Sequence, residues 1–131
     1  MTRRPRGGKK WRLNGNKSLV VGGNAADGFI VSARTAGNTA DRSGITLFLV
    51  NRNAAGLRVH EARLIDNRWC VDIDLDDVEV SIDDVLGEEG KAFSALENGY
   101  AHAMIGLCAE AIGLMEKSVW ITRDYLKTRK Q

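Results

Sequence analysis

A chain of 131 residues bounds one ordinary domain with a modest core. Its 44% hydrophobic and 27% charged content excludes a disordered polymer, and no run of ~20 uninterrupted apolar residues offers a helical membrane span. The net charge of +2 hides an asymmetry: residues 1–10 hold five bases and no acid, leaving 14 basic and 17 acidic residues, net −3, in the remainder.

Taken in order, the chain begins with the basic tail 1–10 (Arg3, Arg4, Arg6, Lys9, Lys10). It reads as a solvated terminus rather than a nucleic-acid or membrane contact. No apolar stretch follows these charges, so no secretory signal is expected and the cytoplasm is the default compartment.

Trp11 to Val21 gives a hairpin signal, with Asn14-Gly15 suited to a type I′ turn because both residues tolerate positive φ. Phe29 to Arg34 predicts a strand rich in β-formers, and Ile45 to Val50 another, joined by the turn-rich segment Thr35 to Gly44. Leu57 to Leu64 is a further strand. From Cys70 the alternation is strict: Val71, Ile73 and Leu75 point one way and Asp72, Asp74 and Asp76 the other. An irregularity at Asp76-Asp77 precedes Val78-Glu79-Val80. The alternate aspartates also have the opening spacing of a calcium loop, but its sixth position needs glycine and holds Asp77. They read as the wet face of a strand, and no metal site is assigned.

After the turn at Leu86-Gly87, Lys91 to Gln131 contains no proline and reads as one long helix filled with good helix formers. Apolar residues recur at three-to-four spacing through Phe93, Leu96, Tyr100, Met104, Leu107, Ala111, Leu114 and Met115. Between Ala101 and Met115 only His102 and Glu110 are polar, so more than one face needs covering. The sequence offers no second long helix for that purpose. The cover is expected from another chain or from a further part of this one. Cys70 and Cys108 both read as small core hydrophobes, with no zinc or redox spacing. The fold class is α+β: a partial antiparallel β-barrel or sandwich followed by one long α-helix.

Five segments, in order, resemble the acyl-CoA dehydrogenase family. Trp11 to Lys17 is similar to its Gly-x-Trp-x-Leu-Asn-Gly-x-Lys motif. Ala26-Asp27 with Phe29 to Thr35, and Gly44 to Val50, resemble the strands that follow it. Asp76 to Val80 with Leu86-Gly87 resembles the strand and exit turn leading to the helical bundle. Asp124 to Gln131 resembles the Tyr-x-x-x-Arg-x-Gln motif that closes the first bundle helix. The resemblance implies three parts: the tail 1–10, a portion of the middle β-domain over 11–89, and the first helix of the C-terminal bundle over 90–131. On this reading the chain is an incomplete fragment, inactive alone.

The implied function is FAD-dependent α,β-dehydrogenation of an acyl-CoA thioester. Partners implied are the acyl-CoA substrate, an electron acceptor flavoprotein, and either further copies of the chain or a complementing subunit. Arg129 and Gln131 match family positions that contact FAD, and a guanidinium there can grip a pyrophosphate with two charge-assisted bonds. Where the family often has Trp-Ile-Thr against the flavin, this chain has Leu19-Val20-Val21. His102 reads as an ordinary satisfied histidine and Glu110 as structural, so no catalytic residue is assigned. The alternative is a non-enzymatic module in which the β-structure and the apolar helix drive oligomerisation.

Overall fold

Strand-forming residues between residues 10 and 86 build six strands in the computed structural model, which describes residues 10–130. They are β1 (Lys10–Val21), β2 (Gly28–Arg34), β3 (Ile45–Asn51), β4 (Leu57–Arg63), β5 (Trp69–Ser81) and β6 (Val85–Leu86). Two antiparallel three-stranded sheets result, ordered β1-β5-β4 and β2-β3-β6. One long helix, α1 (Phe93–Thr128), follows. This is the expected α+β class.

The inner faces of the two sheets form the core. Trp11 and Leu13 of β1 and Val71, Ile73, Leu75, Val78 and Val80 of β5 meet Phe29 and Val31 of β2 and Phe48 and Val50 of β3. Trp11 sets its edge against Phe48 across the interface, ring centroids 5.7 Å apart. This geometry adds ~0.5–1.5 kcal/mol to simple area burial. Thr46 is the buried polar exception; its hydroxyl pairs with that of Thr35 at 2.8 Å and accepts from the Gly90 amide at 2.8 Å. No buried hydroxyl is left unpaired there, so the site carries no desolvation penalty.

The expected hairpin at Asn14-Gly15 does not form. β1 runs through it as a single 12-residue strand paired with β5. Leu13 faces Val78 and Gly15 faces Leu75, so Asn14 alone opposes Asp76 and Asp77. The extra residue is a β-bulge on β5, with Asp77 at φ 52°. Asn14 closes it from the side, donating to Asp77 Oδ1 at 2.8 Å and accepting from the Asp77 amide at 2.9 Å. The bulge also explains the irregularity in the alternation. It moves the inward positions of β5 from 71, 73 and 75 to 78 and 80.

α1 and the β-structure are separate compact units, divided between Phe93 and Ser94. None of the residues of α1 is buried. Cys70 lies in the core as expected, but Cys108 is exposed, a consequence of lying on a helix that buries nothing within this chain. Among the described residues no helix is long and apolar enough to cross a membrane.

Candidate functional site

Further along the same strand pair a second bulge falls, this time on β1 itself. Lys17 faces Ile73 and Val20 faces Val71, so Ser18 and Leu19 are both squeezed opposite Asp72. Leu19 takes a left-handed backbone, φ 57°, and its amide donates to Asp72 Oδ1 at 2.8 Å. One aspartate of the alternating row thus fastens a strained turn of the opposite strand. Parity changes as in the first bulge: Lys17 leans inward, Leu19 is 65% exposed, and Val20 packs against the core.

β1 and β2 are each the edge of their sheet among the described residues. Between these edges lies a slot, crossed by a bond from the Lys17 ammonium to the Ser32 hydroxyl at 3.3 Å. On one side of that bond an open cavity of about 550 Å³ is lined by Leu19, Val20, Val21, Phe29 and Ile30. On the other side a cavity of about 670 Å³ is more polar, with Asn14, Asn16, Arg34, Thr35 and Asn38 in its wall. The first combines an apolar rim (Leu19, Val21 and Ile30 are all exposed) with the free edge of a strand. Such a surface can accept a flat ring that carries hydrogen-bonding groups on its perimeter.

Two arginines shape the walls, and composition gave no hint of either role. Arg34 donates to the carbonyls of Ala36, Thr39, Asp41 and Ser43, wrapping the 35–44 loop around one guanidinium. Arg52 donates to the carbonyls of Gly23 and Ala26 at 2.6 and 3.3 Å and to Glu61 at 3.1 Å. It pins the 3-10 turn Gly23–Ala25 that ends the Leu19–Val21 segment. The only advance signal was that Arg34 ends one strongly apolar strand and Arg52 follows another, where a fork of five donors can gather loop carbonyls.

On α1 the sequence candidates stand apart from one another. Arg129 lies just past the helix end, exposed, its guanidinium 5.8 Å from the centre of the Tyr125 ring and its amide bonded to the Tyr125 carbonyl at 2.9 Å. No carboxylate lies within ion-pair distance of it among the described residues. Gln131 falls outside the described residues. His102 is exposed, its Nδ1 2.7 Å from the carbonyl of Asn98, one helical turn back. Glu110 is exposed on the same helix. Among the described residues, Arg129, His102 and Glu110 are not brought together.

Residues 1–78 match the family model for the acyl-CoA dehydrogenase middle domain. The chain belongs to the acyl-CoA dehydrogenase family. It is 34% identical over 125 residues to an acyl-CoA dehydrogenase of Bacillus subtilis, covering 93% of this chain and 33% of that protein. It is 28% identical over 127 residues to the short-chain-specific acyl-CoA dehydrogenase of Clostridium acetobutylicum, 95% of this chain and 33% of the relative. Among solved structures, butyryl-CoA dehydrogenase from Megasphaera elsdenii superposes with a TM-score of 0.83 at 30% identity, over 93% of this chain and 32% of that one. The chain thus spans about a third of the length of the relatives it matches.

Proposed function

We propose that this chain supplies part of an FAD-dependent acyl-CoA dehydrogenase, acting on an acyl-CoA thioester between its α and β carbons. The observation that carries the reading is the apolar, free-edged bulge at Leu19–Val21, at the position where the family sets Trp-Ile-Thr against the flavin. The residues fit the group in kind. The rim is apolar and open, the strand edge is unpaired among the described residues, and the Arg129 guanidinium has no competing carboxylate there. FAD, when bound, supplies the two-electron acceptor for the dehydrogenation.

The chain's own residues do the holding. Leu19 and Val21 form an aliphatic wall in place of an aromatic one, and Arg52 keeps the turn behind them in place. Arg129, with Gln131, serves a phosphate of the cofactor, typically that of a neighbouring subunit. Residues 11–89 act as part of the middle domain and 90–131 as the first helix of the bundle, beyond the basic tail 1–10. An electron acceptor flavoprotein takes the reducing equivalents, in the cytoplasm.

A chimera tests this, with the chain replacing its matching third of the Bacillus subtilis relative. The chimera is expected to purify yellow and to reduce an artificial acceptor with an acyl-CoA, while the 131-residue chain alone turns over none. A folded but colourless chimera would show that the Leu19–Val21 surface does not hold a flavin, leaving the oligomerising-module reading in its place.

A further inference from the structure

Three aspartates stand at alternate positions of β5, and they are not engaged alike. Asp74 meets His60 Nε2 at 3.3 Å and Asp76 meets Arg58 at 3.7 Å, side chain to side chain across the same sheet. Asp72 pairs with no lysine, arginine or histidine among the described residues. Its Oδ1 accepts instead from the main-chain amide of Leu19, at 2.8 Å.

Leu19 is the non-glycine residue of β1 with a left-handed backbone, φ 57°. That region is unfavourable for any residue with a Cβ, so leucine stays there only while its surroundings hold it. Ser18 and Leu19 together oppose Asp72, and the extra residue reverses the alternation of all that follows. Counted on from Lys17 without the bulge, Leu19 and Val21 would turn inward and Val20 outward. With it, Val20 packs against the core while Leu19 and Val21 stand exposed at the rim of the slot. The far end of the segment is fastened separately. There the Gly22 amide donates to the Trp69 carbonyl at 2.9 Å, and Arg52 grips the turn beyond. The bond from Leu19 to Asp72 fastens the near end.

We propose, on the reading that the flavin ring lies against Leu19–Val21, that Asp72 is a positioning residue for it. Asp72 lies outside the cavity wall and does not meet the ring. By holding Leu19 in its left-handed conformation it decides which side chains of β1 form that wall. Asparagine keeps the accepting oxygen and loses the charge, whereas alanine loses both. A role in geometry is therefore rescued by Asp72→Asn, and a role for the charge is not.

Two measurements test this. Asp72 and Asp74 are solvent-accessible strand positions, where substitution leaves the fold intact. In the 131-residue chain, hydrogen exchange at the Leu19 amide is expected to quicken ~10-fold or more in Asp72→Ala, the usual size of a lost bond to a charged group. The β3 amides should be unchanged, and Asp72→Asn should keep most of the protection at Leu19. In the chimera, titrated with FAD, Asp72→Ala is expected to weaken FAD affinity ~10-fold. Asp72→Asn should keep most of that affinity. Asp74→Ala, which removes the same charge two residues along β5, should leave it unchanged. A yellow parent chimera in which Asp72→Ala and Asp74→Ala bind FAD alike would overturn the proposal and leave the flavin reading standing. Equal losses in Asp72→Ala and Asp72→Asn would overturn it by assigning the effect to charge. Unaltered Leu19 exchange in Asp72→Ala would overturn it at the bond itself. A colourless parent chimera would strike the flavin reading, and this role of Asp72 with it.

Discussion

A leucine held at φ 57° costs about 1–2 kcal/mol relative to its relaxed backbone. Leu19 offsets little of that by burial, being two-thirds exposed. Glycine has no such penalty but loses more freedom on folding, so Leu19→Gly is expected to stabilise the chain by a net ~0.5–1 kcal/mol. Urea denaturation followed by tryptophan fluorescence reads this directly. An unchanged or lower midpoint would mean that the leucine side chain contributes contacts beyond those of an exposed rim. Strain of this kind was not legible in the sequence, because nothing about Ser18-Leu19 departs from ordinary strand composition. Arg129 is the opposite case: the sequence singled it out, and the structure leaves its guanidinium exposed without a carboxylate partner among the described residues. In the flavin-loaded chimera Arg129→Ala is expected to weaken FAD binding by ~1.5–3 kcal/mol, a charged donor's usual contribution. Arg129→Lys should recover part of that loss, since the charge stays and the fork goes. Lys130→Ala is the control for general electrostatics. Equal losses at both positions, measured by fluorescence titration, would remove Arg129 from the site.

The elements were legible in so far as their signal was periodic. Alternation located β2, β3 and β5 to within a residue or two, and the absence of proline with three-to-four spacing located α1. Asn14-Gly15 misled because a turn and a strand-edge bulge call on the same residues. Both need a side chain able to bond back to the main chain next to a residue free of Cβ. The decision came from long-range pairing with β5, 63 residues away, which composition does not encode. That bulge also governs a glycine. Gly56 sits at φ 86°, its carbonyl accepting from the Asp76 amide at 2.9 Å, and a methyl group there would overlap the Asp76 carbonyl oxygen. Gly87 has a similar φ of 78° but opens onto free space. Gly56→Ala is therefore expected to cost ~2–4 kcal/mol through backbone overlap, and Gly87→Ala only the ~1 kcal/mol of its left-handed backbone. Comparable losses in chemical denaturation would show that the bulge yields, and that its geometry is not what fixes the β4–β5 end.

At the scale of the whole molecule, the two units follow different rules. The sequence exposed this difference, because one half alternates between wet and dry positions while the other is apolar on several sides. In the β-unit the apolar positions of two sheets answer one another, and the core cluster draws only on strand residues and their immediate neighbours. α1 has no core of its own, and most helical stability in proteins comes from packing an apolar face rather than from propensity. What the sequence withheld was the slot between β1 and β2, since its walls depend on a bulge and on loop-binding arginines rather than on period. A stop after Phe93, the boundary between the units, tests this division. The shortened chain keeps Ala92, which is buried and whose amide bonds to the carbonyl of Ile45 at 2.9 Å. It is expected to retain the β-sheet signal in circular dichroism and a cooperative thermal transition within a few degrees of the parent. The complementary peptide 94–131 should be helical only at concentrations where it associates, because a lone helix depends on its neighbours for stability. A shortened chain that fails to fold would mean that the β-unit draws on α1 after all. A peptide fully helical as a monomer would show that propensity alone carries the helix.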